Sequence, residues 1–218
     1  MSRSARWTLV ALVIVAALVV AIWPRGGDDG ETGDAYADRF SGDRPVPTAT
    51  GDPVSSEARA AADLAECPDP SGAPAPAGSP LAGITLDCLA DGTPVDVASA
   101  LAGRPALLNI WAHWCAPCAE ELPYLEQYAE RAGEAITVLT VHTDPAEQAA
   151  LERLTEYGVR LPGVQDAAGR IRAAVGAPPV MPVSVLIDAD GSVAAILPQP
   201  FDSVDEIESV VNERLGTP

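Results

Sequence analysis

Apolar residues fall into blocks whose length and period distinguish three kinds of segment. The first block runs uncharged from Trp7 to Trp23 and consists almost entirely of Ala, Val, Leu and Ile. As a helix rising about 1.5 Å per residue it spans roughly 25 Å, close to the hydrocarbon thickness of a bilayer. A tryptophan at each end suits the membrane interface, and Arg3 and Arg6 favour a cytoplasmic N-terminus, although Arg25 lies just beyond the run. A cleaved signal peptide shares this pattern, but the run is long for a signal core and lacks a clear small-x-small site before Pro24. No cysteine follows closely enough for a lipoprotein anchor. Residues 1–6 are therefore expected in the cytoplasm and 7–23 as a single-pass transmembrane anchor. The rest of the chain is expected on the extracytoplasmic side of the cell membrane.

The second kind of segment has few apolar residues. Residues 24–54 are dominated by Gly, Asp, Pro, Ser and Thr and bury too little surface to offset their ordering entropy, which predicts a disordered linker. Within residues 55–80, SSEARAAADLAE predicts a short helix over Ser55–Glu66 with a serine cap. CPDPSGAPAPAGSP then reads as a Pro-rich connector.

The third kind, residues 81–218, alternates strand and helix patterns. Strands are expected at Gly83–Cys88 and Val95–Val97 around an Asp91-Gly92 turn, followed by a short helix near Ala98–Leu101. ALLNIWA at Ala106–Ala112 is almost continuously apolar, as in a strand buried on both faces, and Ala135–Val141 reads the same way. Helices are expected at Ala116–Ala132, at Pro145–Tyr157 with Asp144 as cap, and at Ala168–Val175. Val183–Ile187 and Val193–Leu197 flank Asp190-Gly191, a hairpin signal. Ser203–Leu215 is a last helix, capped by Ser203 or Asp202 and stopped by Gly216. The succession implies an α/β fold with a central mixed sheet flanked by helices.

Charge narrows the function classes. The 218-residue chain carries 31 acidic and 13 basic residues, a net charge of -18, and has no lysine. It lacks the basic surface that phosphate neutralisation requires, so nucleic acid is not an expected partner.

The chemistry is concentrated in Trp111-Ala112-His113-Trp114-Cys115-Ala116-Pro117-Cys118, at a strand-to-helix junction. Cys115 starts the helix, where unpaired N–H groups and the helix dipole favour its thiolate, the attacking species in disulfide exchange. Cys118, three residues on, shares its helical face and can resolve a mixed disulfide. Pro117 is tolerated in the first turn. A structural zinc site needs four ligands, whereas Cys67 and Cys88 are far apart in sequence and His113 and His142 do not form an H-x₃₋₅-H pair. No metal or organic cofactor is expected.

W-C-A-P-C after a buried strand, with Met181-Pro182 opening a later one, resembles the thioredoxin superfamily. Within it, residues Leu81–Leu215 are similar to the TlpA/ResA-like group of extracytoplasmic thiol-disulfide oxidoreductases. The resemblance implies a thioredoxin-like fold with catalytic Cys115 and Cys118. It also implies that Pro182 is a cis-proline facing them, with the Met181 backbone available to an extended substrate. Asn109 stands where cytosolic thioredoxins carry a buried aspartate, which agrees with the TlpA/ResA pattern. Glu121 matches that group's active-site glutamate, for which proton transfer and a solvated place in the helix's first turn are both open readings. Met181 replaces the frequent threonine. His113 is expected in a solvent-facing loop, with a thiol-activating role as the alternative.

Cys67 and Cys88 are expected to pair as a structural disulfide, because neither begins a helix; a shuttle role is the alternative. The expected function is exchange of disulfides with protein substrates, as a reductase supplied by a membrane redox partner. A peroxiredoxin-like peroxidase would need a P-x-x-x-T/S-x-x-C context that is missing. The non-enzymatic alternative is a membrane-tethered binding module or copper chaperone, and copper delivery would favour C-x-x-x-C with a separate histidine ligand.

Overall fold

The computed structural model describes residues 53–69 and 75–216. The expected cytoplasmic N-terminus, the anchor, nearly all of the linker and part of the Pro-rich connector lie outside them. Among the described residues no helix is long and apolar enough to cross a membrane.

Seven strands form one mixed sheet: β1 (Thr85–Cys88), β2 (Pro94–Asp96), β3 (Ala106–Trp111), β4 (Thr137–His142), β5 (Gly163–Gln165), β6 (Val183–Ile187) and β7 (Val193–Leu197). Their order is β2-β1-β5-β4-β3-β6-β7. The β3–β4 and β4–β5 pairs are parallel, and the remaining pairs are antiparallel. Central β3 is buried at every position, as its unbroken apolar run requires. Pro94, which has no N–H to donate, sits in the edge strand β2.

Among the described residues the α-helices are α1 (Ser56–Ala62), α2 (Val97–Ala100), α3 (Ala116–Ala132), α4 (Glu147–Tyr157), α5 (Arg170–Val175) and α6 (Val204–Leu215), with α1 packed on α4. Strand alternation divides the core. Leu107 and Trp111 of β3 pack with Leu122 and Leu125 of α3, Leu154 of α4, and Ile207 and Val211 of α6. Leu108 and Ile110 face the other way and join Val141, Val164, Val185, Ile171 of α5 and Ala98 of α2. The expected α/β architecture is present, and helix α3 has the expected bounds.

Several element ends differ from expectation by one or two residues, and three places have an evident physical reason. α1 keeps its cap, with Ser55 Oγ accepting from the Ala58 N–H, but ends at Ala62 instead of Glu66. Asp63 adopts a left-handed conformation with φ 51°, and Ala65 N–H donates to Arg160 O. The chain leaves the helix there to reach the Cys67–Cys88 bond. α4 starts at Glu147 rather than Pro145, and Asp144 is not its cap residue. The Asp144 carboxylate accepts from Ala146 N–H two residues on, a local turn that competes with helix. β5 had no signal in the sequence. It is short, and its Gly163 lies where a side chain would collide with Thr140 and Leu89. Lack of space, not propensity, sets that residue.

Candidate active site

The strand-to-helix junction puts Cys115 at the N-cap of α3 in extended conformation, with Pro117 in the first turn. Cys115 and Cys118 are joined by a disulfide, their Cα atoms 5.3 Å apart. The Cys118 N–H, one of the helix's unpaired donors, points at Cys115 Sγ at 3.3 Å. A negative charge developing on that sulfur is met by an N–H already in place. Cys115 retains 6% of its surface and Cys118 none, so an incoming reagent meets Cys115 first.

One turn beyond Cys118, on the same buried face of α3, lies Glu121, with no exposed surface. The reading of a solvated glutamate is therefore excluded. Asn109 Nδ2 donates to its Oε2 at 3.0 Å, and Phe201 N–H donates to Oε1 at 3.3 Å. Burial pushes its pKa up to about 7, against the lowering effect of those two donors. Asn109 Nδ2 also donates to Ser184 Oγ at 3.2 Å. An aspartate at position 109 would set a second carboxyl group against Glu121; asparagine supplies a neutral donor instead.

Ser184 was missed by sequence reasoning, although a signal existed. Asn109 and Ser184 each interrupt an otherwise apolar strand, and they are directly opposite in the β3–β6 register. The Met181–Pro182 peptide is cis, just before β6, and Met181 packs against the apolar cluster that includes Cys115 and Cys118. Cys115 and Cys118 thus lie in the half of the core against which Met181 packs, and Glu121 follows one turn along α3.

His113 is not a freely solvated loop residue. Its side chain is 24% exposed, with Nδ1 3.6 Å from Asp144 Oδ1. Trp114, at 59% exposure, donates its indole N–H to Asp144 Oδ2 at 3.0 Å. His142, at the end of β4, is fully buried, and desolvation lowers its pKa to about 4 even though Gln165 opposes that shift. Burial works to raise the Asp144 pKa, but Ala146 N–H, the Trp114 indole and the imidazoles hold it below the usual carboxylate value. The convergence of His113, His142 and Asp144 was invisible in the sequence, because it follows from the parallel pairing of β3 with β4.

The family model described as Redoxin matches residues 70–211, well over half of the chain. The chain belongs to the redoxin family. This redoxin is also similar to the thiol-disulfide oxidoreductase ResA of Bacillus anthracis, at 33% identity over 94 residues, 43% of this chain and 54% of the relative. ResA of Bacillus subtilis is 30% identical over 100 residues, 45% of this chain and 55% of the relative. The chain thus spans about half the length of the curated relatives it matches. Among solved structures it resembles a secreted Mycobacterium tuberculosis disulfide oxidoreductase homologous to Escherichia coli DsbE. That likeness has 29% identity and a TM-score of 0.52, covering 61% of this chain and 95% of the other. StoA from Bacillus subtilis, at 18% identity and a TM-score of 0.50 over 58% of this chain and 93% of the other, shares the thioredoxin-like fold.

Proposed function

We propose that this redoxin is a thiol-disulfide oxidoreductase held outside the cytoplasmic membrane by its Trp7–Trp23 segment, and that it reduces protein disulfides through W-C-A-P-C. The observation carrying this reading is the cysteine pair at the first turn of α3, with Cys115 alone reaching the surface. In the reduced protein the Cys115 thiolate attacks one sulfur of a substrate disulfide. The substrate S–S bond breaks, one substrate thiolate leaves, and a mixed disulfide forms. Cys118 then attacks Cys115 Sγ, releasing the second substrate thiol and leaving Cys115–Cys118 oxidised. Two electrons pass to the substrate. Glu121, with its pKa near 7, accepts a proton as Cys118 becomes the nucleophile and returns it on re-reduction. In this reading the Met181 backbone, held by the cis bond to Pro182, pairs with an extended substrate segment.

The reductase direction is favoured by Glu121. A buried carboxylate near the pair disfavours accumulation of thiolate charge, destabilising the reduced form relative to the disulfide. Turnover then needs a dithiol donor in the membrane. The test is the reduction potential of Cys115–Cys118, equilibrated in defined thiol buffers, with mass spectrometry separating it from the second pair. A value near about -270 mV is expected. A value near about -120 mV would make the protein an oxidant and overturn the direction. Failure to exchange at all would remove the enzymatic reading.

A further inference from the structure

Two imidazoles and a carboxylate meet beside the active-site loop, and the disulfide chemistry uses none of them. His113 lies between β3 and α3, His142 ends β4, and Asp144 follows in the loop to α4. Trp111 and His142 are partners in the parallel β3–β4 register, so both loops leave the sheet at the same end, beyond the C-termini of the two strands. One possible ligand atom from each of the three residues lies within 4.8 Å of the other two. The His113 Nδ1 to Asp144 Oδ1 distance is 3.6 Å. Neighbouring corners of a tetrahedron with metal bonds of about 2.0 Å are about 3.3 Å apart, so the His113–Asp144 pair is nearly at ligand spacing and the three side chains draw together when an ion binds.

The surrounding hydrogen bonds settle the tautomer of His142. Gln165 Nε2 donates to the Asp144 carbonyl at 2.6 Å, which turns the Gln165 amide oxygen toward His142 Nδ1 at 2.8 Å. Nδ1 therefore carries the proton and Nε2 the lone pair. Among the described residues this Nε2 is buried without a hydrogen-bond partner, and so is His113 Nδ1, whose nearest carboxylate oxygen is 3.6 Å away. Two orphaned ring nitrogens beside a carboxylate oxygen are what a metal ion satisfies at once.

We propose that His113, His142 and Asp144 form a site for one divalent first-row transition-metal ion next to the redox disulfide. Imidazole and carboxylate together select zinc, copper or nickel over magnesium and calcium, which prefer all-oxygen sites. The supporting groups are already placed. Gln165 holds the non-ligating nitrogen of His142, while Trp114 and Ala146 fix the Asp144 carboxylate. Arg153, whose Nε donates to the His113 carbonyl, is paired with Glu156 and is not free to repel the ion. His113 and Asp144 are each about a quarter exposed and offer an entry path to buried His142. Three protein ligands leave a fourth position open to solvent or a small ligand.

The oxidised protein isolates this site, because both cysteine pairs are then disulfides and offer no thiolate. Zn²⁺ is titrated calorimetrically into the full-length oxidised protein, purified without a histidine tag, with Trp114 fluorescence followed in parallel. One ion per chain is expected, with a Kd below about 10 µM. His113→Ala, a change in a loop, should weaken binding at least about tenfold, and Asp144→Asn comparably. His142→Gln should abolish it, but that buried residue also supports the sheet, so the two loop variants decide if this one does not fold. Co²⁺ substitution should give visible d–d absorption without a thiolate charge-transfer band. Absence of saturable Zn²⁺ binding up to about 100 µM, unchanged affinity in both loop variants, or a thiolate band would overturn the site.

Discussion

Glu121 holds its proton where a solvated glutamate has lost it, and burial is the cause. Its pKa rises from 4.5 to about 7 in the folded protein. Between those values the unfolded chain has released the proton while the folded chain still binds it. Stability therefore falls as pH rises from 4.5 to about 7 and levels off above that. A shift of this size corresponds to about 3 kcal/mol. Glu121→Gln removes the ionisation. The difference in unfolding free energy between variant and parent, from denaturant curves across this range, should change by about 2–3 kcal/mol in favour of the variant. A pH-independent difference would mean that the carboxyl group is not desolvated. At this scale the sequence was uneven. Cys115 and Cys118 were legible from spacing and helix position, whereas burial of Glu121 depends on Asn109 and Phe201, twelve and eighty residues away.

Among the elements, α1 shows most clearly how covalent and ionic ties replace a large interface. Seven residues long, it buries only Ala62. Arg59 makes a 2.8 Å ion pair with Glu147 of α4 and donates to the carbonyls of Cys88 and Leu89. Just beyond the helix, Cys67 is bonded to Cys88, a separation of 21 residues. Closing a loop of that size stabilises the fold by about 3 kcal/mol through the unfolded state. The double variant Cys67→Ser, Cys88→Ser should lose about that much in chemical denaturation, while the Cys115–Cys118 potential stays within the error of the measurement. A large change in that potential would instead mark the second pair as a relay. Elements with long uniform patterns, such as β3 and α3, were readable in advance because period and length agree. β5 was not, since three residues carry no period and Gly163 is set by its neighbours across the sheet.

For the whole molecule, the uncharged segment Trp7–Trp23 makes the proposed membrane location directly testable. If the segment anchors the chain with its N-terminus inside, alkaline washing should leave the protein in the membrane fraction. Protease added to intact spheroplasts should digest residues 81–218, whereas protection until lysis would place them in the cytoplasm. Deletion of 7–23 should release the chain into the soluble fraction.

Local patterns were sufficient for the order of the main helices and strands, the hairpin at Asp190-Gly191 and the placement of W-C-A-P-C at the start of a helix. Each depends on side chains within a few positions of one another, so periodicity and cap chemistry reveal them. Tertiary structure alone decided what surrounds the cysteines. Pairing β3 with β6 sets Asn109 opposite Ser184, and packing α3 on that face of the sheet buries Glu121 beside Asn109. Pairing β3 with β4 carries His113 to His142 and Asp144. Those neighbours are distant in sequence, and a shift of one residue in either strand would turn them to the opposite face. The physical reason is that strand register, fixed by burial of both faces of the sheet, decides which polar side chains share a dry interior.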